Sequence, residues 1–108
     1  MTKPVDIDLP GDDRRIVWQI LRANLPPKAK VWVFGSRATG RAQRYSDLDL
    51  AIDAGRRLTL DETARLAEAF SDSDLPYRVD VVDWRSIDGG FRKLIEQQRV
   101  PLAETART

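Results

Sequence analysis

The sequence contains no cysteine and no histidine. These absences exclude disulfides, thiol nucleophiles, zinc sites built from Cys and His, and acid–base catalysis by imidazole. No apolar run approaches the ~18 residues of a membrane-spanning helix, and no signal peptide opens the chain. We therefore expect a cytoplasmic protein in which any catalysis uses carboxylates, hydroxyls, Arg or Lys, or a metal ion held by oxygen.

The chain also has little net charge, although 32% of its residues are charged. Its 18 basic and 17 acidic residues leave a formal charge of +1, which argues against broad electrostatic binding to nucleic acid or to a membrane. A length of 108 residues with 42% apolar content predicts one domain with a modest core. We expect a loose lead-in over residues 1–10, the domain over residues 11–102 and a tail over residues 103–108.

The spacing of apolar residues predicts alternating helices and strands. Helices are expected at residues 12–24, about 60–70 and about 88–98. Strands are expected at residues 31–34, 48–52 and 77–82. Asp12 or Asp13 is expected to cap the first helix, and Thr59 with Glu62 fits a capping box for the second. This order predicts an α/β (α+β) fold, in which helices flank a short mixed sheet, mainly on one of its faces.

A glycine-containing turn follows the first predicted strand. Backbone N–H groups and the hydroxyl at Gly35-Ser36 suit an anionic phosphate. Gly35 and Gly40 have the spacing of a P-loop, but Arg41-Ala42 stands where a P-loop requires Lys and then Ser or Thr. We therefore reject the P-loop interpretation. Taken alone, Ser36 is explained at least as well as the N-cap of a helix.

Two aspartates share one face of the second predicted strand. Asp47 and Asp49 are two positions apart, which places their Cα atoms about 6–7 Å from each other. Two ionised carboxylates so close repel, and a divalent cation relieves that repulsion; oxygen ligands favour Mg²⁺ or Mn²⁺. The alternative is an exposed acidic face at the edge of a sheet. Asp53 points the same way but lies about 13 Å beyond Asp49, so we assign it to the surface.

Asp80 lies within a valine-rich predicted strand, where an unpaired charge is costly. Its partner is either a metal ion or a nearby arginine. Periodicity alone does not bring this strand beside Asp47 and Asp49.

Gly35-Ser36, Asp47-x-Asp49 and Asp80 in its valine-rich strand form a joint pattern. This pattern resembles the minimal nucleotidyltransferase family of the DNA polymerase β superfamily, and the resemblance extends from the first helix to about residue 102. It implies the nucleotidyltransferase fold, with a turn that holds a nucleotide triphosphate and carboxylates that hold two metal ions. The nucleotide-binding positions are Gly35, Ser36, Arg37 and Arg41. The catalytic and metal-binding positions are Asp47, Asp49 and Asp80.

The resemblance also implies a reaction and a partner. Minimal members resemble antitoxins that modify a HEPN-type toxin with adenylate. The expected reaction transfers a nucleoside monophosphate, AMP from ATP with Mg²⁺ or Mn²⁺, to an acceptor hydroxyl on that toxin. Nucleic acid is not expected as the direct substrate, and assembly into an oligomer stays open.

Two other functions stay open from the sequence. A catalytically silent subunit would neutralise the same partner by contact, although the three intact carboxylates favour an enzyme. An antibiotic-modifying nucleotidyltransferase would need a second domain for its acceptor pocket, and we expect no room for one in 108 residues, so this function stays open only if another chain provides that pocket.

Overall fold

The structure is a computed structural model and describes residues 7–103. The elements in chain order are α1 (Gly11–Asn24), β1 (Lys30–Phe34), α2 (Ser36–Thr39), β2 (Leu48–Asp53), α3 (Leu60–Ser71), β3 (Val79–Asp83), α4 (Gly89–Gln98) and β4 (Val100–Pro101). None of the helices in the described part of the chain is long and apolar enough to cross a membrane.

The four strands form one mixed sheet in the order β3-β2-β1-β4. β1 is antiparallel to both β2 and β4, whereas β2 and β3 are parallel. The predicted mixed α/β architecture is therefore confirmed. β4 was not predicted, because it has only two residues, one of them Pro101, and takes its strand geometry from its pairing with Trp32 and Val33.

Each face of the sheet has its own core. The larger core lies against α1 and α3, and the sheet residues in it include Val31, Val33, Leu48, Leu50 and Ile52. The smaller core joins Phe34 and Ala51 to Ile95 of α4. The expectation that helices lie mainly on one face holds for α1 and α3, and α4 lies on the other face. β2 is apolar on both faces, at Leu50 and Ala51, and α4 covers the face that α1 and α3 leave open.

The N-terminal cap of α3 is the one that the sequence predicted, whereas the cap of α1 differs from the prediction. The capping box of α3 is present, because Thr59 accepts from the backbone of Glu62 and Glu62 accepts from the backbone of Thr59. α1, however, begins at Gly11 with Pro10 at its N-cap and without a side-chain cap. The predicted cap at Asp12 or Asp13 is therefore wrong. Both residues lie in the first turn, where their charges favour the helix dipole.

The ends of the described chain are held against the core. Leu9 is buried, and the backbone N–H of Asp8 donates to the carbonyl of Arg37 at 2.9 Å, so residues 7–10 do not form the loose lead-in that was expected. At the other end, the Ala103 carbonyl accepts from the indole of Trp18 at 3.0 Å. The remaining parts of the predicted lead-in and tail, residues 1–6 and 104–108, lie outside the described residues.

Candidate active site

The turn after β1 begins with a glycine in a conformation that L side chains rarely adopt. Gly35 has φ 76° and ψ −155°, and it is the N-cap of α2. No side chain caps this helix, so the interpretation of Ser36 as an N-cap is wrong. Within residues 7–103, the Ser36 hydroxyl has no hydrogen-bond partner in the protein. The turn therefore carries a hydroxyl that is available to an anionic ligand.

The first two carboxylates of the predicted cluster lie on adjacent parallel strands. Asp49 of β2 pairs in register with Asp80 of β3, and neighbouring strands are about 4.8 Å apart. Residues in register across a parallel pair point to the same face of the sheet. Sequence periodicity did not show whether the strand of Asp80 lies beside the strand of Asp49. The order of the strands in the sheet shows that it does, and it places Asp80 directly beside Asp49.

The third carboxylate precedes β2 and completes a region of concentrated negative charge. Asp47 is exposed and lies one residue before the strand begins at Leu48. Burial of Asp49, and then the charges of Asp80 and Asp47, raise the pKa of the Asp49 carboxyl above its ordinary value. The negative charges of Asp80 and Asp47 therefore both act on the Asp49 carboxylate. A divalent cation stabilises such a group of neighbouring carboxylates.

The turn after β1 and the strand that carries Asp49 meet at Gly35. A Cβ atom added at Gly35 would collide with the Asp49 carboxylate. Glycine is therefore needed there for two separate reasons, its positive φ and the volume that the Asp49 side chain occupies. The contact brings the candidate phosphate site and the candidate metal site together at one end of the sheet.

Asp80 has the arginine partner that the sequence left open as an alternative. The Arg78 Nη2 atom donates to the Asp80 carboxylate at 3.0 Å, and 76% of the Arg78 side chain is exposed. As the side chains stand, no group of three acidic residues within residues 7–103 is arranged to hold a metal ion. The carboxylate donors fit a hard divalent cation in kind and in placement on the strands. Joint ligation of one cation therefore requires these side chains to move from their present positions.

Arg37 does not take the position predicted for a phosphate ligand. Its side chain is 3% exposed, and its guanidinium donates to the carbonyls of Asp8, Arg44 and Ser46 at 2.8–3.2 Å. It also stacks over the Tyr77 ring at 4.0 Å. Because these groups enclose the guanidinium, the expectation that it contacts phosphate is corrected. Arg37 instead fixes the segment that leads into β2.

The sequence predicted Arg41 as a phosphate ligand, whereas it did not predict that Gln98 lies at the site. Arg41 is exposed, and its side chain has no partner within the described residues, so its phosphate contact stays a prediction. Gln98, at the end of α4, accepts a hydrogen bond from the backbone N–H of Gly35 at 3.1 Å. The sequence carried no signal for this contact, because it depends on how α4 packs across the sheet.

Comparison with known proteins identifies the family. Residues 17–108 match the family described as "Polymerase beta, Nucleotidyltransferase". The chain belongs to this family. The resemblance that the sequence motifs suggested is therefore confirmed, and membership implies a nucleotide donor and a divalent metal in general terms.

Known proteins match this nucleotidyltransferase over most or all of its length. It is 44% identical over 108 residues to the "Probable protein adenylyltransferase MntA" of Haemophilus influenzae, which covers 100% of this chain and 94% of the relative. A crystal structure of a toxin–antitoxin with AMP-PNP is 30% identical, with a TM-score of 0.72 over 84% of this chain and 73% of that one.

A further solved structure contains a tri-AMPylated Shewanella oneidensis HEPN toxin in complex with an MNT antitoxin. It is 28% identical to this nucleotidyltransferase, with a TM-score of 0.62 over 83% of this chain and 68% of that one. The two structural matches confirm the nucleotidyltransferase fold.

Proposed function

We propose that this nucleotidyltransferase transfers AMP from ATP to a hydroxyl group on a HEPN-type toxin and thereby acts as its antitoxin. The observation that carries the proposal is the register of Asp49 with Asp80, beside the Gly35 turn and within the field of Asp47. The relatives supply the substrate class, since one is named a protein adenylyltransferase and another structure pairs an antitoxin with an AMPylated toxin.

The residues proposed to hold Mg²⁺ or Mn²⁺ are Asp47, Asp49 and Asp80. When bound, a divalent cation lowers the pKa of the acceptor hydroxyl and stabilises charge on the leaving pyrophosphate. Before it binds, Arg78 neutralises part of the charge on Asp80. Oxygen donors alone make up this set, which favours these hard cations over zinc or copper.

The turn is proposed to hold the triphosphate of ATP. The free hydroxyl of Ser36 and the exposed guanidinium of Arg41 are the side chains that donate to phosphate oxygens. The acceptor oxygen then forms a bond to the α-phosphorus, the bond from that phosphorus to the β-phosphate oxygen breaks, and pyrophosphate leaves. We assign the proton of the acceptor hydroxyl to the Asp80 carboxylate, from which it passes to solvent.

A protein is the acceptor that best fits this surface. Asp47 is exposed and Asp49 and Asp80 are half-buried, and the chain has a net charge of only +1, which gives little general attraction for nucleic acid. We place the reaction in the cytoplasm, where the proposed donor ATP is present.

The donor and the metal are tested together by label transfer. The chain is incubated with a HEPN-type toxin, a divalent cation and each of the four nucleoside triphosphates labelled at the α-phosphate. We expect label on the toxin from ATP with Mg²⁺ or Mn²⁺, and none after the metal is chelated. Transfer that favours another nucleotide would overturn the assignment of ATP, and transfer that survives chelation would overturn the metal site.

A further inference from the structure

β3 is the outer strand on one side of the sheet, so one edge of it has no strand partner within residues 7–103. The Leu48 N–H donates to the Arg78 carbonyl at 2.9 Å, and Leu48 pairs in register with Val79. Because backbone groups alternate in direction along a strand, Asp80 bonds toward β2 and the N–H and C=O groups of Val79 and Val81 point outward. This unpaired stretch lies on either side of the candidate metal ligand.

A groove runs along the same edge. It has a volume of about 550 Å³ and lies between the end of α3, the loop that follows and the start of β3. Ala67, Phe70 and Leu75 line one side, and Val79 and Asp80 line the other. Asp80 therefore borders both this groove and the site proposed for AMP transfer.

The far end of the edge is closed. The Asp83 carboxylate accepts from the backbone N–H of Leu58 at 2.8 Å and from the Ser86 hydroxyl at 2.7 Å, so the segment before α3 is held against this end of the strand. The open stretch is consequently short and centred near Asp80. The charges of Asp80 on this edge strand and of Arg78 just before it also act against uncontrolled pairing of such edges.

We propose that an extended segment of the acceptor protein adds to the outer edge of β3 as a fifth strand. Its backbone pairs with Val79 and Val81, and one of its side chains enters the groove beside Leu75. Since side chains alternate between faces, the adjacent residue of that segment lies on the face of Asp80, at the spacing of neighbouring strands, about 4.8 Å. A hydroxyl residue at this position reaches the carboxylates. This inference rests on the proposed function, because that function supplies the acceptor.

Amide hydrogen exchange read at single residues tests the docking mode. The Asp47→Asn chain is used with ATP, so that a complex with a HEPN-type toxin forms without turnover. In the free chain we expect the outward amides of Val79 and Val81 to exchange quickly and the inward amides of Asp80 and Val82 slowly. In the complex, the outward amides should slow by about tenfold or more, and the inward amides serve as the internal reference.

Two results of this experiment would overturn the proposal. One is unchanged exchange at Val79 and Val81 in a complex that demonstrably forms. The other is protection of these amides in the free chain that grows with its concentration, which would assign the edge to a second copy of the chain.

A matched pair of α3 variants gives an independent readout. Ala67 and Ala64 are both exposed, but only Ala67 lines the groove. Ala67→Glu should raise the KM for the toxin by about tenfold and leave the KM for ATP unchanged, whereas Ala64→Glu should change neither. If the wild-type chain transfers AMP and Ala67→Glu does so equally well, the docking site is wrong and the proposed function stands. If the wild-type chain transfers no AMP, the proposed function itself fails, and this inference fails with it.

Discussion

The carboxylate of Asp49 occupies the space that a side chain at Gly35 would need. This contact ties the turn that is proposed to hold phosphate to the strand that is proposed to hold metal. A side chain added at Gly35 would therefore disturb both parts of the site. Gly40, at the other end of α2, has nearly the same φ of 78° but has open space around it.

Gly35→Ala tests this contact, and Gly40→Ala is its control. Both substitutions carry a backbone cost, about 1 kcal/mol at Gly40 in the left-handed helical region and more at Gly35, whose ψ of −155° lies in a region that essentially only glycine adopts. Only the substitution at Gly35 also displaces the Asp49 carboxylate. We expect Gly35→Ala to lower the free energy of unfolding by about 1–2 kcal/mol more than Gly40→Ala does, measured by urea denaturation. The part of this extra cost that comes from the clash should disappear when Asp49→Ala is also present, and the part that comes from the Gly35 backbone should remain. Equal costs at both glycines would contradict the structural account.

Asp49→Asn should stabilise the chain in the absence of metal. Because burial and the neighbouring carboxylates raise the pKa of Asp49, the folded state binds that proton more tightly than the unfolded state does. The resulting stability is fully present below the ordinary carboxyl pKa of about 4 and is lost as the pH rises through the raised value. At pH 7 we therefore expect Asn to raise Tm by roughly 2–4 °C.

The pH dependence of that difference is the control. The Tm values of the Asp49→Asn and wild-type chains should converge as the pH falls below about 4, where Asp49 is protonated in both states. A variant that is less stable than the wild type at pH 7 would contradict the claim that burial and the neighbouring carboxylates destabilise the ionised form of Asp49.

Ser36→Ala should separate activity from stability. Ser36 is not the N-cap of α2, and its hydroxyl bonds to no residue within 7–103, so the loss in unfolding free energy should stay below about 0.5 kcal/mol. A lost hydrogen bond to a charged phosphate should lower kcat/KM for ATP by about tenfold or more. Unchanged kinetics with a lower Tm would remove Ser36 from the phosphate site.

Arg78→Ala should strengthen metal binding. Arg78 and a cation compete for the Asp80 carboxylate, but the ion pair is exposed, so the expected gain in Mn²⁺ affinity is at most about fivefold. Titration calorimetry on the chain without nucleotide measures it. Arg85→Ala is the matched control, since Arg85 pairs with Asp53, outside the carboxylate cluster. Weaker binding in Arg78→Ala would show that Arg78 supports the site rather than competing for it.

The parts of the site that the sequence predicted correctly were those set by local spacing. The alternation of β2 placed Asp49 on the face opposite Leu48 and Leu50 without any knowledge of the fold. Asp47 lies one residue before the strand, so the face that it shares with Asp49 stays a prediction. Asp80 required the order of the strands, because its position beside Asp49 comes from a parallel pairing between distant segments. The family resemblance supplied that order.

Local sequence patterns did not predict the contacts that Arg37 and Gln98 make. Arg37 follows the glycine turn directly and has the residue type of a phosphate ligand, yet its position on α2 directs it inward to backbone carbonyls. Gln98 contacts the turn only because α4 packs on the second face of the sheet. Both outcomes depend on packing between elements, which residue type and periodicity do not encode.

The central claim is that Asp47, Asp49 and Asp80 transfer adenylate to a toxin, and intact mass spectrometry of that toxin tests it most directly. A HEPN-type toxin is incubated with ATP, Mg²⁺ and either the wild-type chain, Asp47→Asn or the control Asp53→Asn, which changes a β2 aspartate outside the cluster. We predict an adenylate-sized mass increase and loss of toxin activity with the wild-type chain and Asp53→Asn, and neither with Asp47→Asn. Neutralisation of the toxin by Asp47→Asn without any added mass would contradict the claim and assign the chain as a silent binding subunit.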